Sequence, residues 1–224
     1  LTSFSINLDA NFPELGTPIY NAAAETIKLG GFSGLYFDEQ ASTDSEYVFY
    51  TIPDRGPNAA NIKKSNVTTG SPSQSIRPFK LPDYQARIVK FTIAPSDPSS
   101  VVLDENDYIF LTRNGNTPIT GKGNIEGVDE VPVTYTDATT YTNADYTDAT
   151  NEYAALSYDP FGGDFEGIVK DKNGNWWFCD EYRPSVYQFN PSGDLLHRYV
   201  AKGTGELGGK PNGTYGEETL PEVY

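Results

Sequence analysis

The sequence predicts an all-β chain of consecutive antiparallel units, each with four strands running up and down. Three observations carry that expectation. Residues 164–199, DFEGIVKDKNGNWWFCDEYRPSVYQFNPSGDLLHRY, hold four apolar runs (FEGIV, NWWF, SVYQF, LLHRY) broken at KNG and NPSG. The 224 residues include 16 Tyr, 12 Phe and 2 Trp with 21 Gly and 16 Pro, and helical apolar periodicity is nearly absent, which favours strands and many turns. A weak internal repeat sets Phe32-x-Gly34-x-x-x-Asp38 against Phe165-x-Gly167-x-x-x-Asp171. Four short strands joined in sequence by turns form the meander of a propeller blade, so the fold class expected is β-propeller-like, with the chain supplying roughly half or more of a closed ring.

Taken in order, Leu1 to Lys28 ends in an Ala-rich piece, NAAAETIKL, that fits one helical turn or a loop leading to a strand. FSGLYFD and YVFYTIPD read as a strand pair around the solvated loop EQASTDSE, and Asp54-Arg55 closes the second strand. Residues 59–81 are polar and without periodicity, and read as loop. RIVKFTIA (87–94) and YIFLTR (108–113) read as strands. An insertion at 130–155 repeats Tyr-Thr-(Asp/Asn)-Ala from Tyr135, Tyr141 and Tyr146, and its low complexity predicts an exposed loop. In the 164–199 unit, Asn173-Gly174 predicts a type I′ hairpin turn and Pro191-Ser192-Gly193 a second turn. The tail from Gly203 to Tyr224 has little pattern and reads as a connection. One domain across 1–224 accommodates all of this.

Acids exceed bases by 31 − 16 = 15, which argues against nucleic acid as a partner and suits either bare solubility or divalent cations. Cys179 is the single cysteine, so no intrachain disulfide forms, and its aromatic strand predicts a buried apolar role. No apolar run is long enough to span a bilayer. The chain begins at Leu1 and has no Met, which is read as the mark of an exported, processed protein: secreted, periplasmic or on the cell surface.

The acids of the strand ends are the candidate site. In an antiparallel pair the end of one strand lies beside the start of the other, so Asp164 and Glu166 would meet Asp180 and Glu181, with Asp54 from the earlier pair. Calcium takes several hard oxygen ligands, and these five carboxylates have that chemistry. Asp164 and Asp180 fit equally well as strand terminators that bind loop amides. Asp171-x-Asn173-x-Asn175 lacks the Gly and distal Glu of an EF-hand loop and is explained by the hairpin. Arg55 and Arg183 follow acids at strand ends; each could recognise an anionic group in fork geometry or only neutralise its neighbour. Ser33 lies in GGFSGL, which lacks the second Gly of a nucleophile elbow, and the one histidine, His197, sits on a remote strand, so a Ser-His-Asp triad is not expected. Trp176 and Trp177 face opposite sides of one strand, one of them between sheets. Asn66-Val67-Thr68 and Asn212-Gly213-Thr214 are glycosylation sequons.

The run E-G-I-V-x-D-x-x-G-x-W-x-x-x-D-E from Glu166 to Glu181 resembles the blade motif of the β-propeller phytases. Together with GGFSGLYFD, IPDRGPN and TLPEVY it resembles the "esterase-like activity of phytase" family, whose members usually continue beyond the position of Tyr224. The resemblance implies a calcium-lined active site in which Glu166 is a ligand and Glu181 a nearby acid. It also implies a small anionic ester as substrate. Calcium held by Glu166 and its neighbours would activate water against phosphorus, with Arg55 or Arg183 stabilising the developing charge. A lactonase or carboxylic-ester hydrolase on the same scaffold is the second expectation. A non-catalytic extracellular binding propeller, contacting partners through the Tyr/Thr/Asp-rich loop, is the third.

Overall fold

The computed structural model describes residues 12–16, 26–64, 74–97, 101–103, 105–135 and 153–222. Along the chain, β1 (Glu14–Gly16) pairs with β2 (Ile27–Lys28), β3 (Phe32–Phe37) with β4 (Tyr47–Pro53), and β5 (Ile62–Lys64) with β6 (Gln74–Pro78). β7 (Arg87–Ile93) is followed by β8 (Val101–Leu103), β9 (Ile109–Phe110), β10 (Thr112–Arg113) and β11 (Thr117–Pro118). β12 (Val131–Tyr135) and β13 (Tyr153–Ala155) precede the run β14 (Phe165–Lys170), β15 (Trp176–Asp180), β16 (Ser185–Phe189) and β17 (Leu195–Ala201). A single helical turn, α1 (Thr204–Leu207), leads to β18 (Glu217–Leu220).

Two sheets have the expected up-and-down order. β14-β15-β16-β17 is antiparallel throughout, with β18 added parallel to β17. β3-β4-β7-β8 is the other antiparallel set, and the chain leaves it between β4 and β7 to build part of a third sheet. That third sheet, β13-β12-β6-β5, is mixed, because β12 runs parallel to β6. The fold is all-β, as expected; the described strands form separate sheets rather than a closed ring.

Period-two alternation decides which face of each strand is buried. Trp176 and Phe178 point into the core with Phe165, Ile168, Tyr187 and Phe189, and Ile52 and Ile88 of the β3 sheet face them. Trp176 meets Tyr36 edge-on with centroids 6.3 Å apart, and Tyr50 at 4.7 Å. Trp177 faces outward, stacks on Tyr199 and donates its indole N–H to Asp171 Oδ2 at 3.0 Å. Cys179 shares that outward face and is exposed, which corrects the buried role expected for it. The aromatic strand supplies only every second residue to the core.

Other local expectations are corrected too. Gly174 takes φ 86°, but Asn173 is not left-handed, so the hairpin is not type I′. Instead Gly174 N–H donates to the Asp171 carbonyl, and Asp171 Oδ1 accepts the amides of Asn173 (2.8 Å) and Asn175 (3.0 Å). The carboxylate organises a five-residue loop, and Asn190 does the same for Ser192 and Asp194. Within 59–81, β5 and β6 replace the expected loop, resting on the cross-strand pair Ile62–Ile76 that is too brief to show as alternation. The tail is tied down by Glu218, whose carboxylate accepts the amides of Gly203 and Gly205, and not by apolar pattern. Tyr135 is a buried strand residue with its ring 5.1 Å from that of Tyr153; Tyr141, Tyr146 and the sequon at Asn66 lie outside the described residues.

The leading strands β3 and β14 of the two antiparallel sheets run against one another. A Cβ on Gly34 would lie 3.0 Å from Ile168 Cγ2, 3.1 Å from the Ile168 amide and 3.3 Å from the Glu166 carbonyl. Gly34→Val is therefore expected to destabilise the protein by about 1–3 kcal/mol, as overpacking does. Gly30→Ala, with open space around it, is the matched control. Equal denaturation midpoints for the two variants would contradict the close contact.

Candidate metal site

Both leading strands carry one extra residue at the same place. Phe165 pairs with Asp180 and Gly167 with Cys179, leaving Glu166 as the bulged residue of β14. Phe32 pairs with Pro53 and Gly34 with Ile52, leaving Ser33 as the bulged residue of β3. The flanking backbone bonds match as well: Asp54 N–H donates to Gly31 O at 2.8 Å, and Glu181 N–H to Asp164 O at 2.9 Å. The sequence repeat is thus a repeat of geometry, with Asp54 standing where Glu181 stands. A bulge re-aims a side chain out of the pleat, and here both bulges deliver polar groups to one spot. Ser33 and Glu181 both face the Glu166 carboxylate.

Asp54, Asp164 and Glu166 each place a carboxylate oxygen within 4.8 Å of the others. Asp164 is the most buried of them, and its Oδ1 is sealed from solvent without a hydrogen-bond partner. A buried anionic oxygen with no donor is costly, and a hard cation satisfies it. Three carboxylates on two rigid strand ends also fit such an ion in donor chemistry. Burial pushes the Asp164 carboxyl up, with Asp54 beside it adding to the effect, to about 8. Glu166 is raised in the same direction, first by burial and then by the charges of Asp54 and Glu181.

The remaining expected site residues have other partners. Asp180 lies beneath the cluster: Oδ1 accepts the amides of Asp164 (3.0 Å) and Tyr182 (3.1 Å), and Oδ2 accepts Ser185 Oγ (2.9 Å). Arg198, fully buried, faces Asp180 Oδ2 at 3.6 Å. This carboxylate holds the loop that presents Asp164. Arg55 is almost fully buried; its Nε and Nη2 donate to Gly121 O at 3.0 Å, its Nη1 to Glu130 Oε1 at 2.9 Å, and its Nε lies 3.7 Å from Asp164 Oδ2. Arg183 pairs with Asp129 at 2.5 Å. The Arg55 guanidinium is not turned to an open surface, whereas Arg183 lines a cavity with Pro184, Lys202 and Glu206. His197 is exposed, bonded to Glu217 and stacked on Tyr199, as a surface residue.

Glu130 and Tyr182 were not identifiable from sequence as parts of the site. Glu130 accepts Arg55, Arg77 (3.3 Å) and the Tyr182 hydroxyl (2.5 Å), and the Tyr182 ring lies 4.4 Å beneath the Arg55 guanidinium. The Tyr182 phenol is pushed far up by burial and by Glu130, so it stays a donor. Tyr182 sits inside the recognisable DEYRPS block, whereas Glu130 stands in a polar turn with no pattern to mark it.

Residues 27–212 match a family described as "Phytase-like: Esterase-like activity of phytase". The chain is also similar to an "Uncharacterized secreted protein" from Arthroderma benhamiae, 33% identical over 197 residues. That alignment covers 75% of this chain and 32% of the relative, so the chain spans well under half of that protein's length. No solved structure matches. Among the described residues no helix is long and apolar enough to cross a membrane.

Asp164 binds its proton more tightly folded than unfolded, so it removes stability as pH rises from its ordinary 3.8 to about 8. With chelator present, the melting temperature of the protein should fall across that window. Asp164→Asn should flatten the slope and melt higher than wild type at the alkaline end. Parallel profiles for the two proteins would contradict the crowding at this carboxylate.

Proposed function

The chain belongs to the phytase-like family, and on that premise we propose that it carries the metal site of a secreted, calcium-dependent phosphoester hydrolase. Family membership points to a phosphoesterase-type hydrolase, and the secreted relative fits the compartment. The two antiparallel sheets are read as neighbouring blades of a propeller. The observation that carries the metal reading is the meeting of Asp54, Asp164 and Glu166, with one oxygen of Asp164 buried and unpartnered.

In this reading Asp54, Asp164 and Glu166 are the ligands, with Glu181 at the edge of the same site. Calcium there would supply Lewis acidity toward an ester oxygen and lower the pKa of water. Ser33, facing the Glu166 carboxylate, is read as a neighbour of that ligand and not as a nucleophile. Asp180 fixes the Asp164 amide, so its part is to position a ligand. Arg55 contributes a fixed positive charge beside Asp164, which moderates the repulsion an anionic ester would meet. For Arg183 to touch substrate it would have to leave Asp129.

One observation favours a carboxylic ester as the alternative. A cavity of about 290 Å³ opens beside Ser33, and Phe12, Phe32, Leu35, Phe91 and Leu103 line it. Such a wall suits an apolar acyl or aryl group better than a polyphosphate.

The full-length protein should release phosphate from phytate with calcium and stop with excess chelator. Glu166→Gln should lower that turnover by about a hundredfold or more with the fold intact, since removal of even an outer-shell partner costs 10–100-fold. Ser33→Ala should lose only about tenfold, where loss of a nucleophile would abolish turnover. Calcium-dependent cleavage of aryl carboxylic esters without phosphate release would shift the assignment to the carboxylic-ester reading. Full activity in Glu166→Gln would remove this glutamate from the site.

A further inference from the structure

Arg55 is held by more partners than a charge-balancing residue needs. Its guanidinium is anchored to Gly121 O through two nitrogens and to Glu130 through the third, and it lies against the Tyr182 ring. Glu130 is in turn fixed by Arg77 and by the Tyr182 hydroxyl. Beyond these anchors stands Asp164, with its Oδ2 3.7 Å from Arg55 Nε, too far for a hydrogen bond. A buried guanidinium that loses one of two carboxylate partners leans on the other, and the other carboxylate within ion-pair distance here, Asp164, is a candidate metal ligand.

We propose that Glu130, braced by Tyr182, is a positioning residue that keeps Arg55 from closing onto Asp164 and competing with the cation for that carboxylate. The inference rests on the metal reading of Asp54, Asp164 and Glu166. It assigns Glu130 no contact with the ion or the substrate. Arg77 keeps other acceptors, Asn58 Oδ1 and Ala59 O, so loss of Glu130 leaves Arg55 as the arginine drawn toward the cluster. Gly121 cannot substitute for Glu130, because a carbonyl offers no countercharge.

Calcium binding to the full-length protein, followed by titration calorimetry, separates this role from general support of the fold. Glu130→Gln should weaken calcium by about tenfold or more, because the freed arginine takes a ligand. The double variant Glu130→Gln/Arg55→Met removes the competitor together with its brace, and should return affinity to the wild-type value or above. A merely structural role predicts the opposite order, with the double variant at least as weak as the single. Tyr182→Phe frees Glu130 on one side only, and should show a smaller loss even if Glu130→Gln does not fold. Unchanged affinity in Glu130→Gln, or no recovery in the double variant, would overturn the inference while leaving the metal site in place. Wild-type protein that takes up no calcium would instead remove the metal reading itself, and this inference with it.

Discussion

Like charges gathered at one point set the problem that the surrounding structure solves. Two unit charges 4.8 Å apart repel by on the order of 3 kcal/mol at an effective dielectric of about 20, and Asp54, Asp164 and Glu166 lie within that distance of one another. Water screens the more open Glu166 better than the buried Asp164. The cluster persists because each carboxylate is fixed by something it cannot easily leave. Asp54 and Asp164 are bound through backbone pairs at strand ends, and Glu166 is thrown out of the pleat by its bulge. Behind them, Asp180 with Arg198, and Arg55 with Glu130, form two buried ion pairs that determine loop position. Buried pairs of this kind contribute little net stability and a good deal of geometry.

The repeat explains how two sheets converge on one spot. In each, a Phe-x-Gly segment places a bulge at the second residue and a glycine at the third. The Gly34 position lets β3 approach β14 closely, while the bulged Ser33 and Glu166 meet across the seam. The two halves are alike in backbone and different in chemistry. Where one presents Gly31, Ser33 and Asp54, the other presents Asp164, Glu166 and Glu181. A repeat of one backbone device thus yields an asymmetric acidic site.

Much of this was legible in the sequence, and the limits have physical causes. The β14–β17 meander and the opposed faces of Trp176 and Trp177 follow from alternation and turn residues, and the likeness of the 32–38 and 165–171 segments from their shared motif. Cys179 is exposed where its aromatic strand predicts burial, because it shares the outward face of Trp177 and only alternate residues reach the core. The Asn173-Gly174 turn departs from type I′ because Asp171 captures the loop amides and makes a longer loop the better solution. β5, β6 and β18 are short and are held by backbone pairing with neighbouring strands, β18 also through the Glu218 carboxylate, which leaves no periodic trace. At the site, acids at strand ends were visible as candidates. That Asp180 turns inward, and that Arg55 is held by a distant glutamate, depends on tertiary contacts between residues 75 apart in sequence.

The central claim is that a cation sits among Asp54, Asp164 and Glu166. Crystals of the full-length protein grown with manganese as a calcium stand-in, measured for anomalous scattering, test it most directly. The account predicts an anomalous peak within bonding distance of one oxygen from each of the three carboxylates, including Asp164 Oδ1. A peak elsewhere, or a cluster closed by an Arg55–Asp164 hydrogen bond with no ion present, would contradict it.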